Sequence, residues 1–145
     1  MAAALETKLA PPSAAVMQWP AGTSSEMEFD DAKMMVRCLA STATLDREKD
    51  FVTPDAFNLD NYARNPVVLY QHDQKTPIGK CEDPDGRFTM TRTENALVAD
   101  VYFAKSSPFA ASVYALYREK VLRGWSIGYL PTQTSRVSVN GKAAR

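Results

Sequence analysis

The chain has 145 residues, with 17 basic and 17 acidic side chains and a formal net charge of zero, a size that suits one domain around a single core. The balance argues against a dedicated binder of nucleic acid or of an anionic membrane, whose affinity rests on surplus Lys and Arg. No run approaches the roughly 18 apolar residues of a membrane-spanning helix. Two cysteines, Cys38 and Cys81, are too few for a disulfide framework and lack metal-type spacing. They read as buried or half-buried thiols of a protein in a reducing compartment.

Residues 1–28 carry Pro11, Pro12 and Pro20 with little apolar periodicity and read as a flexible leader. Glu6 and Lys8 interrupt any apolar stretch there, so it is not a secretory signal. A domain is expected over 29–145. Its first strand falls in "KMMVRCLAST", followed by a charged turn at "LDREKD" and a strand end in "FVTPDAF" that becomes a loop at Pro54. "NLDNYARN" suits a short helix, closed by Pro66 because a residue before proline avoids helical backbone. "PVVLYQ" is a short β-branched and aromatic run, hence a buried strand with His72 at its end, and "PIGKCED" is the next strand. The turn at Pro84-Asp85-Gly86 combines a proline-fixed φ with a glycine that accepts positive φ.

"RFTMTRTENALVADVYFA" reads as a hairpin turning at "TEN", with Leu97, Ala99, Val101 and Phe103 on one face. The convincing helix follows in "SSPFAASVYALYREKVLRG". Ser107 is placed to cap it and Pro108 to occupy its first position. Phe109, Val113, Leu116, Tyr117 and Val121 form its expected apolar face, and Gly124 its stop. "WSIGYLP" is then a strand entered from that helix. The order predicts an antiparallel, β-rich α+β domain.

"RGWSIGY" holds a Gly-x-Ser-x-Gly pattern around Ser126. The nucleophile elbow of α/β-hydrolases has a strand before its serine, a helix after it and a histidine downstream. Here the helix comes first, and the chain's one histidine, His72, lies upstream, so that scaffold is excluded. If an imidazole of this chain activates Ser126, it belongs to His72.

Three segments, "ASTATLDREKDFVTPDAF", "YARNPVVLYQHDQKTPIGK" and "LRGWSIGYLP", together resemble the prohead maturation proteases of tailed phages. These are serine proteases related to the herpesvirus assemblins. The segments occur in family order across about two thirds of the chain. The second is the most specific, an Asn-Pro-Val-Val-Leu strand that delivers a histidine before Pro-Ile-Gly-Lys. The first is looser: members often have glycine where this chain has Lys49 and Asp55. The resemblance implies an assemblin-like antiparallel β-barrel or sheet with flanking helices, with His72 as base and Ser126 as nucleophile. It implies a serine endopeptidase that cleaves capsid precursor or scaffold proteins, and itself, during prohead maturation. The setting is the interior of the assembling procapsid in the host cytoplasm, or the bacterial cytoplasm for a prophage gene.

No metal or organic cofactor is implied, and no nucleic-acid or membrane partner. A homodimer follows only from the analogy with assemblins. The groups of an oxyanion site are not legible; Arg136 is a remote candidate. The family's third catalytic residue is an acid downstream of the serine, yet no Asp or Glu follows Ser126. The expectation is therefore a domain incomplete at its C-terminal end, its last strands missing and the third residue beyond Arg145, so that this 145-residue form is weakly active or inactive. The other option is an upstream acid, Asp73, Glu82 or Asp100. Two rival functions stand beside the protease: a non-enzymatic capsid-assembly module on the same scaffold, and a different hydrolase such as an esterase. The first is separated by geometry, since a working pair needs the His72 ring nitrogen about 2.6–3.2 Å from the Ser126 hydroxyl.

Overall fold

A computed structural model of the chain describes residues 2–6, 27–44, 51–133, 135–139 and 142–144. The expected turn at "LDREKD" lies outside them. Two long strands, β3 (Met35–Thr42) and β7 (Ala96–Phe103), pair antiparallel along their lengths and form the spine of the sheet. In β3 the inward positions Val36, Cys38 and Ala40 are buried, the period-2 burial of a strand with one face on the core. In β7 Leu97, Ala99, Val101 and Phe103 are buried as their alternation predicts, and Ala96 and Val98 on the other face are buried too. Arg37 and Asp100 are directly opposed in this register, and their guanidinium and carboxylate meet in two hydrogen bonds of 2.6 and 2.9 Å.

The free edge of β7 is shared. β6 (Met90–Arg92) takes its first half and β5 (Pro77–Lys80) its last two residues. Gly79 makes that second pairing possible, because a Cβ there would lie 2.4 Å from the Tyr102 carbonyl oxygen. Beyond β5 the sheet continues through β4 (Val67–Leu69) and β1 (Ala2–Glu6) to β8 (Ser126–Leu130), while β2 (Glu28–Asp30) extends it beyond β3. A separate two-stranded ribbon joins β9 (Val137–Val139) and β10 (Lys142–Ala144). The β-rich α+β expectation is met by a mainly antiparallel sheet. The described strands form an open path, without closure into a barrel.

Helix α2 (Pro108–Arg118) starts as its sequence predicts, with Pro108 in the first turn and the Ser107 hydroxyl accepting from the Ala110 amide at 3.2 Å. It packs across β5 and β7, where Phe103 meets Tyr114 and Tyr117 edge-on. Its buried face is Ala110, Val113, Tyr114 and Tyr117, one step round from the expected stripe. Phe109 and Val121 are 45% and 65% exposed. The reason is that Ala110 fits a close helix–sheet contact, and the Tyr114 hydroxyl reaches the sheet's outer corner, donating to Asp31 at 2.6 Å.

The helix ends earlier than Gly124. The Lys120 amide bonds to the Tyr117 carbonyl and that of Val121 to Leu116, with Lys120 left-handed at φ 60°, so a Schellman closure forms with lysine where glycine is usual. A side chain at Gly124 would meet nothing; that residue is not the stop, and its carbonyl instead accepts the Tyr117 hydroxyl at 2.8 Å.

Two further expectations change. Ala2–Glu6, assigned by composition to a leader, lies in the sheet; residues 7–26 are outside the described set. "FVTPDAF" is not a strand end, since Pro54–Ala56 form a single 3-10 turn whose backbone is held by Arg92 through the Pro54 and Phe57 carbonyls. The short helix α1 (Asp60–Ala63) and the turn at Gly86, φ 83°, are where the sequence puts them. Cys38 and Cys81 are free and buried. Burial pushes both thiols up, Cys81 to about 12, so neither is a nucleophile near neutrality.

Candidate active site

β4 is shorter than "PVVLYQ" suggests: it stops at Leu69, and His72 lies in a tight turn beyond it. The turn is built from the backbone. Tyr70 N–H donates to the Thr76 carbonyl at 2.9 Å, Asp73 N–H to Tyr70, and Thr76 N–H to Asp73. The Asp73 carboxylate locks it by accepting the Lys75 amide at 2.9 Å and the Thr76 hydroxyl at 2.6 Å. These two bonds, the hydroxyl first, hold that carboxyl below its usual range. Gln71 and His72 are both left-handed, at φ 51° and 58°, which is uncommon for residues with a Cβ. Two such residues in succession swing the chain off the line of β4, so that the imidazole projects sideways over the sheet.

Ser126 comes from the other direction. Trp125, just before it, is clamped in the core: its indole stacks on Tyr117 at 4.6 Å, meets Phe103 edge-on, and donates to the Met27 sulfur at 3.3 Å. Strand alternation then sends Ile127 and Tyr129 inward with Trp125, leaving Ser126 and Leu130 exposed. Tyr129 is seated edge-on against Phe57.

Between the two lies β1. Its register pairs Ala2 with Leu69 on one side and with Ser126 on the other, so Leu69, Ala2 and Ser126 form one row across three strands. His72, three residues past Leu69, reaches over that row, and its Nε2 stands 2.8 Å from the Ser126 Oγ. The structure thus brings together the two site residues singled out in the sequence, which are 54 positions apart. Both are exposed at the surface. Partial desolvation sets the His72 imidazole below its ordinary value of 6.5, which favours the neutral ring that can accept a proton.

None of the three upstream acids orients this histidine. Asp73 is committed to its own turn, Glu82 is bound to Lys80 at 2.7 Å, and Asp100 to Arg37. Arg136 is exposed and, among the described residues, forms no bond to the pair. No group of three or more His, Cys, Asp or Glu suited to a metal occurs among the described residues. No described helix is long and apolar enough to cross a membrane. What sequence reasoning missed is a cleft lined by Asn61 of α1, Arg64 just after that helix, Leu69, Gln74, Gly128 and Leu130. Its walls are distant in sequence and carry no shared motif.

The arrangement is a hydroxyl and an imidazole in hydrogen-bonding contact at the surface, the minimum set for a base-activated nucleophile. Comparison with known proteins agrees in kind. The family described as caudovirus prohead serine protease matches residues 27–141. The prohead protease of Escherichia phage T5 is 32% identical over 110 residues, covering 73% of this chain and 49% of the relative. The chain therefore spans about half the length of that curated relative. No solved structure matches it. With the family match covering most of the sequence, the chain belongs to the caudovirus prohead serine proteases.

Proposed function

We propose that the protein is a serine endopeptidase of prohead maturation, acting within the assembling procapsid on capsid-precursor or scaffold segments, and on itself, with Ser126 as nucleophile and His72 as general base. The observation that carries this reading is the 2.8 Å contact between His72 Nε2 and Ser126 Oγ. It lies inside the range a working pair needs, and it disfavours a binding-only module, which has no use for it.

The chemistry follows from the contact. With its ring proton on Nδ1, His72 presents an Nε2 lone pair to the Ser126 hydroxyl and takes its proton as Oγ attacks the scissile carbonyl. The tetrahedral intermediate collapses, the C–N bond breaks, and the leaving amine takes that proton from Nε2. Water then attacks the acyl-serine while His72 removes its proton, and returning the proton to Oγ frees the acid product. Since Asp73, Glu82 and Asp100 are engaged elsewhere, the group that orients Nδ1 is expected from outside this set. The oxyanion donors are expected to be backbone N–H groups at the cleft.

The test is co-expression of the full-length protein, unaltered or as Ser126→Ala or His72→Ala, with the capsid precursor of the same genome, scored for cleavage on a gel. Both variants should leave the precursor intact. Processing that continues in both would remove the mechanism, and turnover of small esters without turnover of precursor peptides would point to an esterase.

A further inference from the structure

β1 differs from every other described strand of the sheet. It makes the one parallel pairing among them, with β8, while pairing antiparallel with β4. It is also composed of Ala-Ala-Ala-Leu-Glu, without a β-branched or aromatic residue, a poor strand-former beside the Val-, Leu- and Phe-rich β7. Without it, β4 and β8 would face each other across a slot one strand wide, about 10 Å from strand to strand. One end of that slot is the catalytic pair, because Ala2 lies in the row between Leu69 and Ser126 and the imidazole passes over the row to Oγ. The cleft of about 620 Å³ bounded by α1, Leu69 and Gly128–Leu130 is set between the same two strands.

Resting on the protease reading above, we propose that the slot between β4 and β8 is the substrate groove, which takes an extended peptide by strand addition, and that Ala2–Glu6 is an occupant in cis that competes with substrate. Strand addition draws its affinity from main-chain hydrogen bonds and tolerates varied side chains, which suits an enzyme that cuts several assembly proteins. The β8 wall pairs with the inserted strand along all five of its residues, from Ala2 to Glu6, while β4 meets it at the Ala2–Leu69 pair beside the catalytic row. The direction of β1 adds a polarity. It runs from Ser126 towards Leu130, so a substrate lying in the same sense places the residues that follow its scissile bond along β8. The residues before the bond then continue past Ser126 on the side of the His72 turn.

The experiment measures binding apart from chemistry. In a Ser126→Ala background, a fluorescein-labelled peptide of sequence AAALETK is titrated into the protein with its own Ala2–Glu6 and into the double variant Ala3→Pro, Leu5→Pro, followed by anisotropy. Proline removes the backbone donors that β1 needs to pair. If the internal strand fills the groove about 90% of the time, releasing it should tighten apparent binding about tenfold. A folded proline variant that binds no better than its parent overturns the proposal, and so does a variant that loses its fold, because β1 would then be a fixed part of the sheet.

Hydrogen exchange on the unaltered protein gives a second reading. Amides of β4 and β8 should exchange faster than those of β3 and β7, and should be slowed by saturating peptide. Equal protection in both pairs counts against the proposal. Fluorophosphonate labelling of Ser126 in the unaltered chain reports separately on chemistry. Labelling without peptide binding sinks the groove alone, whereas the protease reading stands or falls by the co-expression test above.

Discussion

Replacing Gln71 by glycine should stabilise this protein. Gln71 is left-handed at φ 51°, a conformation that costs a residue with a Cβ roughly 1–2 kcal/mol. Its side chain is exposed and, among the described residues, makes no hydrogen bond, so truncation removes only the Cβ conflict. Against this, glycine adds conformational freedom to the unfolded chain, about 0.5–1 kcal/mol relative to alanine. The balance is a gain of up to about 1 kcal/mol, which for a domain of this size raises Tm by about 2–5 °C. Gln71→Val should act in the opposite sense. A β-branched residue is a true outlier in that region, so the substitution should cost about 1–3 kcal/mol or relax the turn and draw His72 from Ser126.

Thermal unfolding followed by circular dichroism gives the stabilities, and nitrogen shifts of the His72 ring report whether its contact with Ser126 survives. If Gln71→Gly melts below the unaltered protein while Gln71→Val melts with it, the turn holds no left-handed strain. The account of how His72 is aimed would then be wrong.

The other expectations follow from the same geometry. His72→Ala should slow acylation of Ser126 by a fluorophosphonate about 10²–10⁴-fold; an unchanged rate removes the imidazole as base. In the unaltered protein that rate should fall as pH drops, with a midpoint below 6.5, because desolvation lowers the His72 pKa and only the neutral ring accepts the proton. A midpoint above 6.5, or a flat profile between pH 5 and 8, would contradict this. Gly79→Ala should destabilise by about 1–3 kcal/mol, as the new Cβ meets the β7 backbone at Tyr102, which cannot move aside cheaply; an unshifted urea midpoint would refute the close approach. Trp125→Ala removes the stack on Tyr117 and should cost towards the lower end of about 3–5 kcal/mol, with acylation of Ser126 slowed as well. Intact acylation in the folded variant would show that Trp125 does not position the serine.

Local chemistry made much of this protein legible. Alternation marked β3 and β7, because a strand with one face on a core must bury every second residue. Ser107-Pro108 marked the start of α2, because a cap and a proline can satisfy the first turn without help from elsewhere. A single histidine upstream of Ser126 left one candidate base, and the surrounding segments carried the family resemblance. The details that arm the site are not local.

The face of α2 turned by one step because Tyr114 and Ala110 answer to Asp31 and the sheet rather than to helical period. The helix closed on Lys120, since backbone bonds to Leu116 and Tyr117 outweighed the preference for glycine. β1 was hidden because Ala-Ala-Ala-Leu-Glu has no strand pattern of its own, and only the edges of β4 and β8, distant in the chain, give its backbone partners. The 2.8 Å approach of His72 to Ser126 depends on that three-strand row, on the left-handed turn at residues 71–72, and on Trp125 clamped against Tyr117. The two candidate residues are thus written in the sequence, while their contact arises from pairings between segments that no local pattern encodes.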